Sequence, residues 1–325
     1  MKKLITLLVA FAIVFSVTSA LAETLKVGEL TYLNSDNVSR TEMMEKVREI
    51  AAQNGAGALF GGADALEMVE FDNLNAMQMA LDARQIDAMI LYTTVGTYLA
   101  NTTGGYYGGF QDHSADSEKL TDYSNPAVAF TVFISDAMMG TDFSLMMLEE
   151  NAALRDEIDQ ALADMKEEGV LAELLNEMYK LETEPVEMPV IEGAETIKVA
   201  VTGDLPPFDY VDASGMPAGF NTAVLAEISK RIGKNIELVS VDSASRALAL
   251  TSRNVDAVFW TRVGAANPET YGIDIETFPE DMKSAIDAVT AMSEEVRDTT
   301  GDIPEGMILT EPYLHDMYVL VFPKE

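Results

Sequence analysis

Two stretches of this chain repeat one pattern. TLKVGELTYLN, from Thr24, parallels TIKVAVTGDLP, from Thr196, and VEFDNLNAMQMALDARQIDAMIL, from Val69, parallels VSVDSASRALALTSRNVDAVF, from Val239. Each of the latter pair reads as a strand, an Asp-led helix start, an amphipathic helix and a second strand opening with IDA or VDA. Strands alternating with amphipathic helices pack as a mostly parallel sheet flanked by those helices, so the chain is constrained to an α/β fold. Asp72 and Asp242 stand where an N-cap carboxylate would accept from the free amides of a first helical turn.

The repeats lie on either side of ETEPVEMPVIEGAE, Glu182 to Glu195. Pro185 and Pro189 interrupt any helix there and the acids keep the segment solvated, so 182–195 reads as a linker between 23–181 and 196–325. The first 22 residues read as a signal peptide. Lys2 and Lys3 are followed by an apolar run, Leu4 to Val17, and then by Ala20 and Ala22 in a small-x-small pattern. That run is shorter than the roughly 20 residues of a helical membrane span. Cleavage near Ala22/Glu23 would release a soluble periplasmic protein.

Cysteine is absent, which excludes disulfides, a thiolate nucleophile and a Cys-rich metal site. The two histidines, His113 and His315, fit no metal-binding or triad spacing, and no cofactor is expected. The formal charge of −33 is spread through the chain, a surface that repels nucleic acid and anionic membranes. Within Leu154 to Tyr179, apolar residues recur at helical spacing with a break at Gly169, which predicts a helix pair with one buried face. Met77, Met79, Met89, Met138, Met139, Met146 and Met147 read as flexible core filling.

A family resemblance rests on Pro206, Pro207, Phe208, Tyr210, Gly215, Gly219 and Phe220, the PPFxY loop and the xxxGxxxGF entry to a long helix. In order and spacing these resemble the first lobe of the periplasmic solute-binding proteins of family 3, which serve polar amino-acid ABC transporters. The resemblance implies a two-lobed type II periplasmic-binding-protein fold, each lobe a mostly parallel sheet with flanking helices and a cleft between them. FDNLNAMQMALDARQIDAMILYTTVGTYLAN resembles second-lobe elements, AVAFTVFIS, from Ala127, the returning strand, and Leu154 to Tyr179 the C-terminal helix pair. LTEPYLHDMYVLVFPKE, at the chain's end, is similar to the outgoing crossover strand. The order is thus that of a circularly permuted binding protein, with a tandem pair of small domains as the alternative.

Ligands of open α/β sheets sit beyond the carboxyl ends of the strands. That places Phe208, Tyr210, Trp260, Thr261, Arg262 and Glu311 at the cleft on one lobe, and Tyr32, Asn34, Tyr92, Thr93 and Thr94 on the other. Phe208 either covers the ligand or belongs to the lobe core, and Trp260 either stacks on the ligand or is buried. Arg262 could hold a carboxylate bidentately. The chain departs from the family where VGAANPET replaces the TPER-like segment, where GFNTAVL puts Asn221 and Ala223 in place of acids, and where the second-lobe Asp is missing. The expected function is capture of a small polar ligand, an amino acid or related carboxylate, by a monomeric receptor that presents it to an ABC transporter permease in the inner membrane. The alternatives are a sensor or scaffold on the same fold, or a dehydratase-like enzyme using Glu311 or Asp209.

Overall fold

The computed structural model describes residues 24–30, 44–45, 48–49, 63–103, 105–108, 140–180, 184–242, 245–263, 274–280, 283–284, 286–287, 290–291 and 303–323. The expected signal peptide, Tyr32, Asn34 and the strand expected at 127–135 lie outside them. Among the described residues no helix is long and apolar enough to cross a membrane.

The first repeat forms β1 (Thr24–Leu30), β2 (Ala65–Phe71), α1 (Leu74–Asp82) and β3 (Ala88–Tyr92). The second forms β6 (Thr196–Val201), β10 (Asn235–Ser240), α6 (Arg246–Thr251) and β11 (Ala257–Val263). In each, the first strand runs parallel to the other two, giving the trios β2-β1-β3 and β10-β6-β11. The IDA and VDA motifs have the same work in both. Lys26 N–H donates to Asp87 Oδ2 at 2.9 Å and Lys198 N–H to Asp256 Oδ2 at 2.8 Å. Each Asp amide returns a bond to the same lysine's carbonyl, so every helix-to-strand turn is bolted to the neighbouring strand.

Two long strands join the trios. β5 (Gly140–Leu148) pairs antiparallel with β11, and β13 (Leu314–Pro323) lies between β5 and β3. Leu314–Met317 of β13 pair with Phe143–Gly140, whereas Tyr318–Val321 pair with Tyr92–Met89, so one strand belongs to both sheets. The order β10-β6-β11-β5-β13-β3-β1-β2 interleaves the two sequence halves, with β12 (Met307–Leu309) on β5 and β4 (Tyr106–Gly108) on β13. The antiparallel strand beside the second trio is thus Gly140–Leu148.

Apolar burial follows the strand alternation. Met89, Leu91, Ala257 and Phe259 belong to a central cluster shared by both lobes. Ala88 and Ile90 pack behind one sheet, and Val258 and Trp260 behind the other. After α2 (Thr93–Thr103), α3 (Ala152–Glu167) buries Ile158, Ala161, Leu162 and Met165, and α4 (Val170–Tyr179) follows Gly169, whose φ of +80° reverses the chain. Both pack on α5 (Phe220–Ile232) of the other sequence half. The linker is docked: Val186 N–H donates to Pro217 O, and the Asn235 side chain holds both Ile191 N–H and Ile191 O.

Three expectations need correcting. The N-cap of α1 is Asn73, whose Oδ1 accepts from Ala76 N–H at 2.9 Å, not Asp72. The residue before α6 is Ser245, not Asp242, and it makes no side-chain cap. Met77, Met89, Met146 and Met147 are core, but Met79 is 72% exposed because it falls on the outer face of α1.

Candidate functional site

Between β6 and α5 the chain folds back as three short strands, β7 (Asp204–Leu205), β8 (Asp209–Val211) and β9 (Pro217–Ala218). The PPF loop between β7 and β8 sits directly against the start of α5. Phe220 N–H donates to Pro207 O at 3.0 Å and Asn221 N–H to Phe208 O at 2.7 Å, which satisfies orphan amides of the helix's first turn. Gly219 makes this approach possible. Its φ is +102°, and a Cβ there would lie 2.5 Å from Phe208 O. The paired PPF and GF motifs are therefore one backbone joint.

Inside the joint lies a buried polar chain. Asp209 Oδ1 accepts from Thr202 N–H at 2.8 Å, Thr202 Oγ1 at 2.5 Å and Gly203 N–H at 2.9 Å. Its Oδ2 accepts from Asn221 Nδ2 at 3.3 Å, and Asn221 Oδ1 accepts from the Tyr313 hydroxyl at 2.9 Å. Burial, with the Asp209 charge adding to it, holds the Tyr313 hydroxyl well above its usual pKa, so it remains a donor.

Above this chain, at the carboxyl ends of β1, β3, β6 and β11, both lobes line a cavity of ≈ 20 Å³, about the room one water needs. Leu30 and Tyr92 enter from one lobe, and Thr202, Asp209, Asn221, Arg246, Phe259 and Thr261 from the other, with Phe143 of β5 between them. The lobes touch across it. Tyr92 Oη lies 3.1 Å from Thr261 Oγ1, and the Tyr92 ring packs 4.6 Å from Phe143 and 5.7 Å from Phe208. Asp204, at the start of β7, lies near the Leu74 amide at the α1 N-terminus, and burial raises its pKa.

β13 changes partners at its middle, from β5 to β3. Asp316 is buried where the strand leaves β5 for β3 and accepts from Thr94 N–H at 3.2 Å and Met317 N–H at 2.7 Å. Burial pushes its pKa up to about 6. Beside it, His315 Nδ1 lies 2.6 Å from Asp142 Oδ1 of β5. Thr93 Oγ1 donates to Met317 O at 2.9 Å, fixing the start of α2 to the same turn.

Of the sequence-predicted residues, Tyr92 and Thr261 line the cavity, facing each other. Thr93 and Thr94 bond to Met317 and Asp316 where β13 changes partners. Phe208 is fully buried beneath the cavity in the shared core. Trp260 is buried behind the sheet with Met146, Leu250 and Val258, because strand alternation sends it to the face opposite Phe259 and Thr261. Tyr210 is half-buried on β8, and Glu311 is exposed, its amide bonded to Asp159 Oδ1. Arg262 stands opposite Asp142 in the β11–β5 ladder, with its side chain outside the described residues. Sequence reasoning passed over Thr202 and Arg246 as cleft residues. Thr202 directly follows β6, and Arg246 opens the helix after β10, the strand-to-helix position that would have found them.

The family-wide sequence pattern of bacterial extracellular solute-binding proteins, family 3, matches residues 197–262, the stretch from β6 through β11. No curated protein sequence matches the chain. Among solved structures, the chain is similar to a zinc-bound ligand-binding component of an ABC-type import system from Staphylococcus aureus, at 9% identity over 93% of this chain and 66% of that one, TM-score 0.39. An ancestral arginine-binding protein bound to arginine shares 11% identity over 93% of this chain and 85% of its own, TM-score 0.37. The GluR0 ligand-binding core from Nostoc punctiforme, in complex with L-glutamate, shares 10% over 93% and 85%, TM-score 0.36. These likenesses are distant, and the α/β assignment stands on the strand order of the structure itself.

Proposed function

Taking residues 197–262 as a family 3 solute-binding segment, we propose that this protein is an extracytoplasmic receptor. It captures a small polar molecule between its lobes and hands it to the membrane permease of an ABC importer. The observation that carries the reading is the cavity at the carboxyl ends of strands from two sheets that share the crossing strand β13. Closure would bring Tyr92 of one lobe and Thr261 of the other onto the ligand, with Arg262, Tyr32 and Asn34 as further candidate contacts. We read residues 1–22 as the export signal, the periplasm as the destination and the monomer as the working unit. Interleaving of β5 and β13 between the trios supports a circularly permuted chain, in which 182–195 joins the family's original C- and N-termini and the present ends lie near the hinge. New termini are tolerated when the old ones are close and exposed.

Binding is favoured over catalysis because Asp209 is engaged by four donors and Glu311 is exposed. A general acid needs a free proton aimed at a leaving group. A second reading, a scaffold or sensor that keeps the fold without transporting, draws on the small cavity volume and the Tyr92–Phe143–Phe208 packing across it.

The test is a thermal-shift screen of the purified protein, unfolded and refolded to strip any carried ligand, against amino acids and related small acids. Ligands that bind only the folded state raise the melting temperature saturably. A saturable shift supports the receptor. A cooperative melt with no shift across the panel sinks it in favour of the scaffold.

A further inference from the structure

We propose that the groove between α4, α5 and the linker docks a basic segment of a partner protein. Lysine or arginine side chains of that segment lie along the groove's floor, with their charged ends at its rim. The groove shares no lining residue with the cavity at the strand ends, so the proposal goes beyond the receptor reading and does not depend on it.

The sequence of α5 makes the groove. Gly219, Ala223 and Ala226 recur at i, i+4 and i+7 and fall on one helical face, while Val224, Leu225 and Ile228 belong to the central core. Small side chains on that face leave a trough of ≈ 280 Å³ walled by α4 and by 184–187 of the linker. Leu174 and Phe220, tied to the central cluster, make its floor apolar. The linker wall is fixed by the bond from Val186 N–H to Pro217 O at 2.7 Å. Every lining residue is among those described.

The rim is acidic. Glu177 of α4 and Glu184 and Glu187 of the linker are exposed there, and none forms an ion pair among the described residues. Acids elsewhere around α5 are engaged. Glu227 pairs with Lys230 at 2.5 Å, Glu168 with Arg231 at 2.7 Å and Glu157 with Lys234 at 2.9 Å. The nearby cations are thus already taken, and along the groove four glutamates stand against one lysine.

One chemistry suits floor and rim together. The methylene stems of lysine and arginine cover apolar surface while their heads stay in water, here beside carboxylates without a partner. An acidic segment would be repelled, and so would a second copy of a chain whose formal charge is −33. A wholly apolar segment would bury carboxylates unpaired, at a cost.

The probe is a fluorescently labelled pentapeptide alternating arginine and leucine, titrated with the full purified protein and read by fluorescence anisotropy. Matched peptides carry glycine for leucine or glutamine for arginine. The expected result is saturable one-to-one binding of the arginine–leucine peptide, weaker binding of the glycine peptide and none of the glutamine peptide. Glu184→Gln with Glu187→Gln should weaken binding about fivefold, the scale of two exposed ion pairs. Glu149→Gln with Glu305→Gln removes the same charge from exposed acids outside the groove and should change it by less than about twofold. Ala223→Leu fills the trough at constant charge and should weaken binding by at least about fivefold. Melting curves report folding, and if Ala223→Leu does not melt cooperatively the two Gln pairs carry the comparison. Absence of saturable binding, equal loss in both Gln pairs, or unchanged affinity in folded Ala223→Leu overturns the proposal. Spermidine displacing the peptide at equal concentration, or a wild-type dimer that the groove variants dissolve, gives the groove another occupant and also overturns it.

Discussion

The two parallel trios are the same machine with different mouths. β1-β2-α1-β3 and β6-β10-α6-β11 share the Asp–Lys bracing of Asp87 with Lys26 and Asp256 with Lys198. Even the turns agree: Arg84 and Arg253 each sit at φ +58° after the helix, and the residues that follow, Gln85 and Asn254, each donate back to an alanine carbonyl, Ala80 and Ala249. The difference lies where the strands end. α1 is capped by its own Asn73, and Asp204 of the other trio's loop lies near its N-terminus. α6 has no side-chain cap and begins with Arg246 at the cavity, above the joint of the second trio.

The joint is where the comparison breaks hardest. Gly219→Ala pushes a Cβ into the Phe208 carbonyl at an unfavourable φ and should cost at least about 3 kcal/mol. The same change at Gly28 of the first trio meets side-chain atoms only, Ile86 Cδ1, Met77 Cγ and Phe71 Cε2, which can shift where a backbone carbonyl cannot, so about 1–2 kcal/mol is expected. Equal losses in urea unfolding would erase the distinction between the two mouths.

Next comes Asp209→Ala, which strands four donors in a buried place and should destabilise by about 3 kcal/mol. The measurement is again urea unfolding, with hydrogen exchange at the Thr202 and Gly203 amides. Unchanged protection there would remove Asp209 from the joint.

The seam between the lobes gives a pH signature. The folded-state pKa of Asp316 is raised to about 6 from 3.8, so the native state binds its proton more tightly than the unfolded chain. Its contribution therefore favours folding at acid pH and is lost as pH rises from about 4 through 6, by an amount on the order of 2 kcal/mol. Asp316→Asn should flatten that part of the stability profile, and Asp204→Asn, whose pKa is also raised by burial, should act in the same direction. A wild-type profile superimposable on that of Asp316→Asn across pH 4–7 would contradict the buried carboxyl.

The smallest effect concerns the shared turns. Glycine relieves the left-handed conformation at Arg84 or Arg253, offset in part by the freer unfolded chain, so a gain of up to about 1 kcal/mol is expected at Arg84. Arg253 also forms a bidentate pair with Glu150 at 2.8 and 3.0 Å, and Arg253→Gly should gain less. Thermal melts separate the two, and the reverse ranking would mean the exposed pair outweighs the backbone.

The repeat, the linker prolines, the helix pair broken at Gly169 and the PPF and GF motifs are all written locally. Periodicity and turn chemistry act over a few residues, and a single chain reading picks them up. The site was less legible. Tyr92 and Thr261 were placed by the rule that ligands meet strand ends, but Trp260, adjacent to Thr261, was buried by a one-residue change of face. Asn221 looked like a lost acid, whereas it is the middle of a chain from Asp209 to Tyr313 whose ends are far apart in sequence.

The sequence by itself determined the α/β class, the twofold strand–helix–strand plan and the glycine that admits the loop to the helix, because each depends on short-range sterics and hydrophobic period. Only the tertiary structure decided that β5 and β13 interleave the halves, that Asp209 is consumed by structure and that Arg246 faces the cavity. Those outcomes turn on which strands meet and which face each residue takes when they do, and strand pairing across many residues leaves no local mark.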